Sequence, residues 1–300
     1  GLRSTGVMSR TSNPSGRRGS RHNQLLAVAS MALRCSRRCL AAYACPKSRH
    51  DFTQPQLMAC LVLKAYLRQT YRGLCEVLEL SAPLREALGL EKVPHFTTLQ
   101  KFAAKEGVAE VIGGLIGQVL AEAGRLGRRA EVAVDSTGMQ IGQASMHYRA
   151  RSGRRGGRYV KLSVAVLCGA LLPAALVADL GPSPDLTQMP AVLEQAGGRV
   201  RVASLYADRG YDAEWVHRRV REELGGRSWI PPVVRTRDGT IKTPYRAQMA
   251  RLPEAYGRRW HAESFFGGLK RSTLSTLASR LPRTLLTEAS IKVLAYAIRR

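Results

Sequence analysis

The chain has 300 residues, 45% of them hydrophobic, enough to bury a sizeable core in one large domain or two smaller ones. Its 47 Lys and Arg against 22 Asp and Glu leave a net charge of +25, and since nine of those cations are lysine the other 38 are arginine. Such an excess points to a polyanionic partner, nucleic acid before an anionic membrane surface, because the planar guanidinium fork suits phosphate.

In chain order, residues 1–22 are Ser, Gly and Arg with almost nothing apolar, and are expected to form a disordered basic arm. From 23 to 128 the pattern is helical, and short helices studded with Arg and Lys suit a helical DNA-binding region of helix-turn-helix type as well as a plain bundle. Leu25–Leu33 is too short to span a membrane. Gln56–Gln69 is a strongly apolar helix, Ser81-Ala82-Pro83 starts another with Gly89 as its stop, and Thr97 with Gln100 makes a capping box. The glycine-rich run 113–128 closes this part. The six cysteines form no CxxC pair, and the Cys35, Cys39, Cys45 and His50 spacing matches no common zinc pattern, so they are expected reduced.

After residue 130 the grammar changes to strands at Glu131–Asp135, Tyr159–Cys168, Leu171–Asp179 and Val200–Asp208. The uncharged run Leu162–Ala178 contains Gly169 and Pro173 and suits two buried strands joined by a tight turn, not a membrane span. Helices are expected at Leu186–Ala196, Ala213–Leu224, roughly Tyr245–Leu269 and Leu285–Arg300. Strands first and then strand–helix alternation predict an α/β layer with a mixed sheet over 129–300, preceded by the all-α region. With no apparent signal peptide, a cytoplasmic location is expected.

Two strands end alike. VAVD finishes at Asp135 before Ser136-Thr137-Gly138, and SLYAD finishes at Asp208 before Arg209-Gly210-Tyr211. An aspartate at a strand end sits where neighbouring loops converge on ligands, although Asp before a glycine turn is also ordinary turn chemistry. Asp212 is expected to be only a helix N-cap. Further on, Tyr256, Arg259, Glu263 and Lys270 lie within about 60° of one another on a helical projection, with Ala262, Phe265 and Leu269 on the opposite side. A surface pair Arg259–Glu263 explains neither Tyr256 nor Lys270 on that stripe. Two aspartates and a later glutamate are oxygen donors of the kind that hold Mg²⁺, and paired ions can drive phosphoryl transfer.

These segments resemble the DDE transposases of bacterial insertion sequences, in the IS-five-like and IS-four-like branches. The Y-x2-R-x3-E-x6-K signature matches at Tyr256, Arg259, Glu263 and Lys270, and VAVDSTGM and LYADRGYD resemble the two aspartate segments. The stretch YRGLCEVLELSAPLREALGLEKVPHFTTLQKF resembles the N-terminal helical region of the IS-five-like branch. The resemblance implies an RNase H-like catalytic domain in which Asp135, Asp208 and Glu263 are the catalytic metal ligands for Mg²⁺, with Mn²⁺ as substitute. It implies DNA contacts from Tyr256, Arg259 and Lys270. The loop RARSGRRGGR, with Arg154, Arg155 and Arg158, suits either phosphate contact or a solvated loop.

The expected activity is cleavage at the terminal inverted repeats of an element and joining of the 3′-hydroxyls to double-stranded target DNA, by a homo-oligomer associated with the nucleoid. An RNase H-fold nuclease or resolvase, and a non-catalytic DNA-binding protein derived from a transposase, stay open as alternatives.

Overall fold

One long strand organises the molecule. The computed structural model describes residues 23–47, 49–142 and 159–300, so the basic arm and the loop bearing Arg154, Arg155 and Arg158 lie outside the described residues. Strand β1 (Arg129–Ile141) pairs antiparallel along its length with β2 (Tyr159–Leu167), which pairs antiparallel with β3 (Pro173–Gly181). On its other edge β1 pairs in parallel with β4 (Arg201–Ala207), which is followed outward by β5 (Arg227–Trp229). The order β3-β2-β1-β4-β5, with β6 (Thr276–Leu277) on the far end of β1, is that of an RNase H-like mixed sheet.

The β2–β3 hairpin turns at Gly169 (φ +83°), the tight turn expected inside the uncharged run. Its strands are apolar on both faces because both faces are covered. Helix α7 (Asp185–Arg199) packs on one side of β2 and β3, while α10 (Trp260–Thr273) and α11 (Pro282–Arg299) also contact β2. Among the described residues, no helix is long and apolar enough to cross a membrane.

Six helices precede the sheet: α1 (Gln24–Cys39), α2 (Gln54–Tyr66), α3 (Tyr71–Leu80), α4 (Ala82–Ala87), α5 (Phe96–Ala103) and α6 (Val108–Glu122). They share a continuous core with the sheet, since α11 packs on α2 and α6 as well as on β2 and β3. The first part of the glycine-rich run, residues 113–122, is helical. Its glycines serve packing: Arg199 lies over Gly113 and Gly117, donating to Gly113 O (2.7 Å) and Ala174 O (2.8 Å). The backbone of α6 is thereby tied to β3.

Three local expectations need correction. Helix α5 is capped by the His95 ring, which accepts from Thr97 N, so Thr97 is inside the helix; the capping box is instead Thr53 with Gln56 on α2. Helix 245–269 is not continuous. Pro253 cannot extend a helix and biases its predecessor to extended backbone, so α9 (Pro244–Ala247) is separated from α10 by 3-10 turns at Gln248–Ala250 and Glu254–Arg259. Asp212 is not an N-cap, for Ala213 holds that position before α8 (Glu214–Arg218).

Asp212 is a buried hub. Its carboxylate accepts Arg246 Nε and Nη2, both at 2.7 Å, and Val233 N at 2.7 Å, so a bidentate guanidinium offsets its desolvation. Beside it His217 is fully buried, with Nδ1 2.7 Å from Ser228 Oγ. Burial pushes the imidazole down to about 4, against the attraction of Asp212 and Glu214 and with the help of Arg221 and Arg246. The folded value is below the unfolded one, so stability from neutral His217 is complete above pH ~6.5 and is lost as pH falls through the folded value. His217→Gln is therefore expected to lose less melting temperature than the parent between pH 7 and 4, measured by circular dichroism.

Candidate active site

Asp135 does not end its strand. β1 continues through Ser136, Thr137 and Gly138 to Ile141, still paired with β2. Gly138 is there for close approach, not for a turn: a Cβ would come within 3.0 Å of the Tyr159 ring. What ends is the other edge. The last parallel pair between β1 and β4 is Val134 with Ala207, so Asp135 and Asp208 are the next residue on each strand, at the point where β4 leaves the sheet. Asp208 caps the 3-10 turn Arg209–Tyr211, its Oδ1 accepting Gly210 N at 2.8 Å.

Alternation along β1 places neighbours on opposite faces. Asp135 shares the register position of Val164, and Ser136 that of Ser163. Ser163 bonds Gln188 of α7, which fixes the α7 face and leaves Asp135 on the face of α10. Helix α10 buries Ala262, Phe265 and Leu269 completely and keeps Glu263 outside, with its side chain 55% exposed. The apolar side of the projected stripe is thus the packed side.

The 3-10 turn before α10 is fastened at three points. Tyr256 donates to Ala207 O (3.2 Å), Arg258 pairs with Glu131, and Arg259 bonds Glu263 while its Nη1 stands 4.0 Å from Asp135 Oδ2. Arg259 therefore bridges the strand aspartate and the helix glutamate. Tyr256 and Arg259 reach the site from a 3-10 turn, at a different angle from a continuous α-helix. Lys270 lies two turns beyond Glu263 on the same side of α10, about 10 Å along the axis, outside this cluster.

The carboxylates repel. Asp135 is pushed up to about 6, chiefly by burial, with Asp208 and Asp185 adding to it and the Ser136 N–H and Arg259 opposing. Asp185, at the first turn of α7, went unnoticed in the sequence. Its Oδ1 accepts Ser136 Oγ (2.5 Å) and pairs with Lys161 Nζ (2.7 Å), and Ser136 Oγ is 2.7 Å from Tyr211 OH. Burial works against ionised Asp185, but Lys161 and Ser136 hold its carboxyl below the usual range. The available signal was a lysine inside the apolar strand YVKLSVAVL.

Among the described residues, no three His, Cys, Asp or Glu side chains are arranged so that they could hold a metal ion together. A guanidinium presently answers two of the carboxylates instead. The donor set nevertheless suits a hard divalent cation: oxygen ligands only, with one acid raised chiefly by burial and further by its acidic neighbours.

The chain thus presents an RNase H-like sheet with two aspartates side by side where β4 parts from β1, and a glutamate on the helix packed above. The family model of the transposase DDE domain matches residues 127–298, more than half of the chain, and the protein belongs to that family. Among curated proteins, no match to the chain was found.

Lys161 is 5% exposed and also donates to Ser183 O at 2.6 Å, so removing it strands a carbonyl and half of an ion pair. Lys161→Met is expected to cost about 1–3 kcal/mol in urea unfolding, whereas the same change at exposed Lys242 leaves stability nearly unaltered.

Proposed function

We propose that this transposase cuts the ends of its element and joins the freed 3′-hydroxyls to target DNA, with Asp135, Asp208 and Glu263 as the ligands of Mg²⁺, or of Mn²⁺ in its place. The observation that carries this is the adjacency of Asp135 and Asp208 at the end of the β1–β4 pairing, with Glu263 linked to Asp135 through Arg259. Divalent ions bound there would supply Lewis acidity and a more acidic water at neutral pH.

The chain's own groups do the rest. Asp135 and Asp208 are fixed by the sheet, and Glu263 by the packed face of α10, so the ligands are pre-organised on rigid elements. Arg259, released from the carboxylates, turns its fork to a phosphate oxygen. Tyr256 and Lys270 line the approach of the DNA strand, and Arg154, Arg155 and Arg158 contribute phosphate contacts from the β1–β2 connection. Water attacks phosphorus in line, the bond to the 3′-oxygen breaks, the attacking water gives a proton to solvent, and the departing 3′-oxygen takes one up to become a hydroxyl. In the second step the free 3′-hydroxyl is the nucleophile, attacking a target phosphodiester and displacing another 3′-oxygen. Neither step needs a covalent protein intermediate, so Ser136 and Tyr211 are left to their structural bonds. The helices of 23–128 provide further DNA contact, and two element ends call for a homo-oligomer on DNA, with the nucleoid as its location.

Incubation with duplexes carrying the element's own inverted repeats is expected to give nicks in Mg²⁺ and none in EDTA. Asp135→Asn, Asp208→Asn and Glu263→Gln should each lower nicking by about 10²–10³-fold, the scale on which loss of one electrostatic stabiliser acts. Equal nicking in both tubes, or full activity in the Asp135→Asn protein, contradicts the proposal. Pre-cleaved ends should be joined to target DNA; cleavage without joining would indicate the resolvase type of activity.

A further inference from the structure

Beyond Glu263, the far end of α10 and the last turn of α11 border a cavity of about 470 Å³. Its walls carry Arg68, Arg271, Arg299 and Arg300, with Gly268 and Tyr296 between them. Arg271, Arg299 and Arg300 are exposed, and none takes part in an ion pair among the described residues. Arginines elsewhere in the protein do find carboxylates, as Arg34 and Arg38 do on Glu122. Four guanidinium groups border one hollow whose described lining holds no Asp or Glu side chain, and they repel one another unless an anion enters.

Arg68 shows that the hollow is built. It follows α2 at φ +56°, a left-handed position where glycine is the usual residue. The side chain gained in exchange for that strain donates to Arg271 O and, from Nε at 2.7 Å, to Ser272 O. These are carbonyls at the C-terminal end of α10, which would otherwise oppose an anion through the helix dipole. Capping them leaves a wall of donors. Gly268 lets the Tyr296 hydroxyl lie against α10, where any Cβ would collide with it.

We propose that this cavity is a phosphodiester clamp, gripping the DNA backbone through Arg271 and Arg299. Its place relative to the cut rests on the proposed function: Arg271 is eight residues past Glu263 on the same helix, about 12 Å along the axis. At 3.4 Å per nucleotide of B-DNA the clamp holds a phosphate roughly three to four nucleotides from the reacting bond, with Lys270 on the way.

The test uses the full chain and a fluorescein-labelled inverted-repeat duplex, with affinity read by anisotropy in EDTA between about 50 and 200 mM salt. Arg271→Gln with Arg299→Gln is expected to reduce the slope of log K against log salt by about 1–2, since each phosphate neutralised contributes about 0.9. Arg271→Lys with Arg299→Lys should restore most of it, which separates lost charge from lost folding. Arg218→Gln with Arg219→Gln, at the end of α8 and the start of the π-helical turn after it, where both cations face glutamates, should leave the slope unaltered. A parental slope in the double glutamine variant, or an equal fall in the α8 control, overturns the clamp. Mg²⁺-dependent nicking by the parent is followed in parallel. Nicking with an unaltered variant slope removes the clamp alone, whereas absent nicking with a reduced slope removes the proposed reaction and keeps the clamp.

Discussion

Strand β4 keeps register with β1 only as far as Ala207 opposite Val134, while β1 runs on to Ile141 against β2. That parting creates a notch at the edge of a sheet buried on both faces, and it puts Asp135 and Asp208 on either side of it. The sheet supplies low dielectric beneath them, which is why burial is the main force holding Asp135 up near 6. Every other feature of the site is hung from this notch: the 3-10 turn through Tyr256 and Arg258, α10 through Ala262, Phe265 and Leu269, and the Asp208 turn through Gly210.

The two faces of β1 divide the work at adjacent residues. On the α10 face Asp135 meets Arg259 and looks toward Glu263. On the α7 face Ser136 is held by Asp185, which is held in turn by Lys161, with Tyr211 closing the group. A strand segment fixed by side-chain bonds on one face has little freedom to shift on the other. The buried lysine offsets the charge that Asp185 adds behind Asp135, so the stiffening network does not leave a further unpaired acid under the site.

Much of this was legible because the residues involved sit in regular elements. The four long strands came from apolar runs, and the packed side of α10 from three apolar residues at helical spacing. The glutamate stripe was legible as a pattern although part of it is not α-helical, because 3-10 and α turns differ by only about 20° per residue. What escaped was set by tertiary pairing. Asp135 looked terminal because Ser-Thr-Gly follows it, yet β2 supplies a partner strand that no local propensity announces. Asp185 and Lys161 are 24 positions apart and meet only once β2 and α7 are packed. Asp212 has the sequence of a cap, and only Arg246, far along the chain, makes it a hub.

Electrostatically the protein is a basic body around a small acidic notch, and Arg259 shows how the two coexist. With Glu263 more than half exposed, its pair with Arg259 contributes a few tenths of a kcal/mol, like other surface i,i+4 pairs. Among the described residues no cation pairs with Asp208, and Asp135 stays near 6, so the notch keeps a surplus of negative charge. On the proposed function, a divalent cation would bring twice the charge to the same oxygens and lose little by displacing so weak a pair. Arg259, freed from its carboxylates, would then have a phosphate as the partner for its fork. On the proposed function, the acids and the excess of cations are mutually consistent when metal and polyanion are present together.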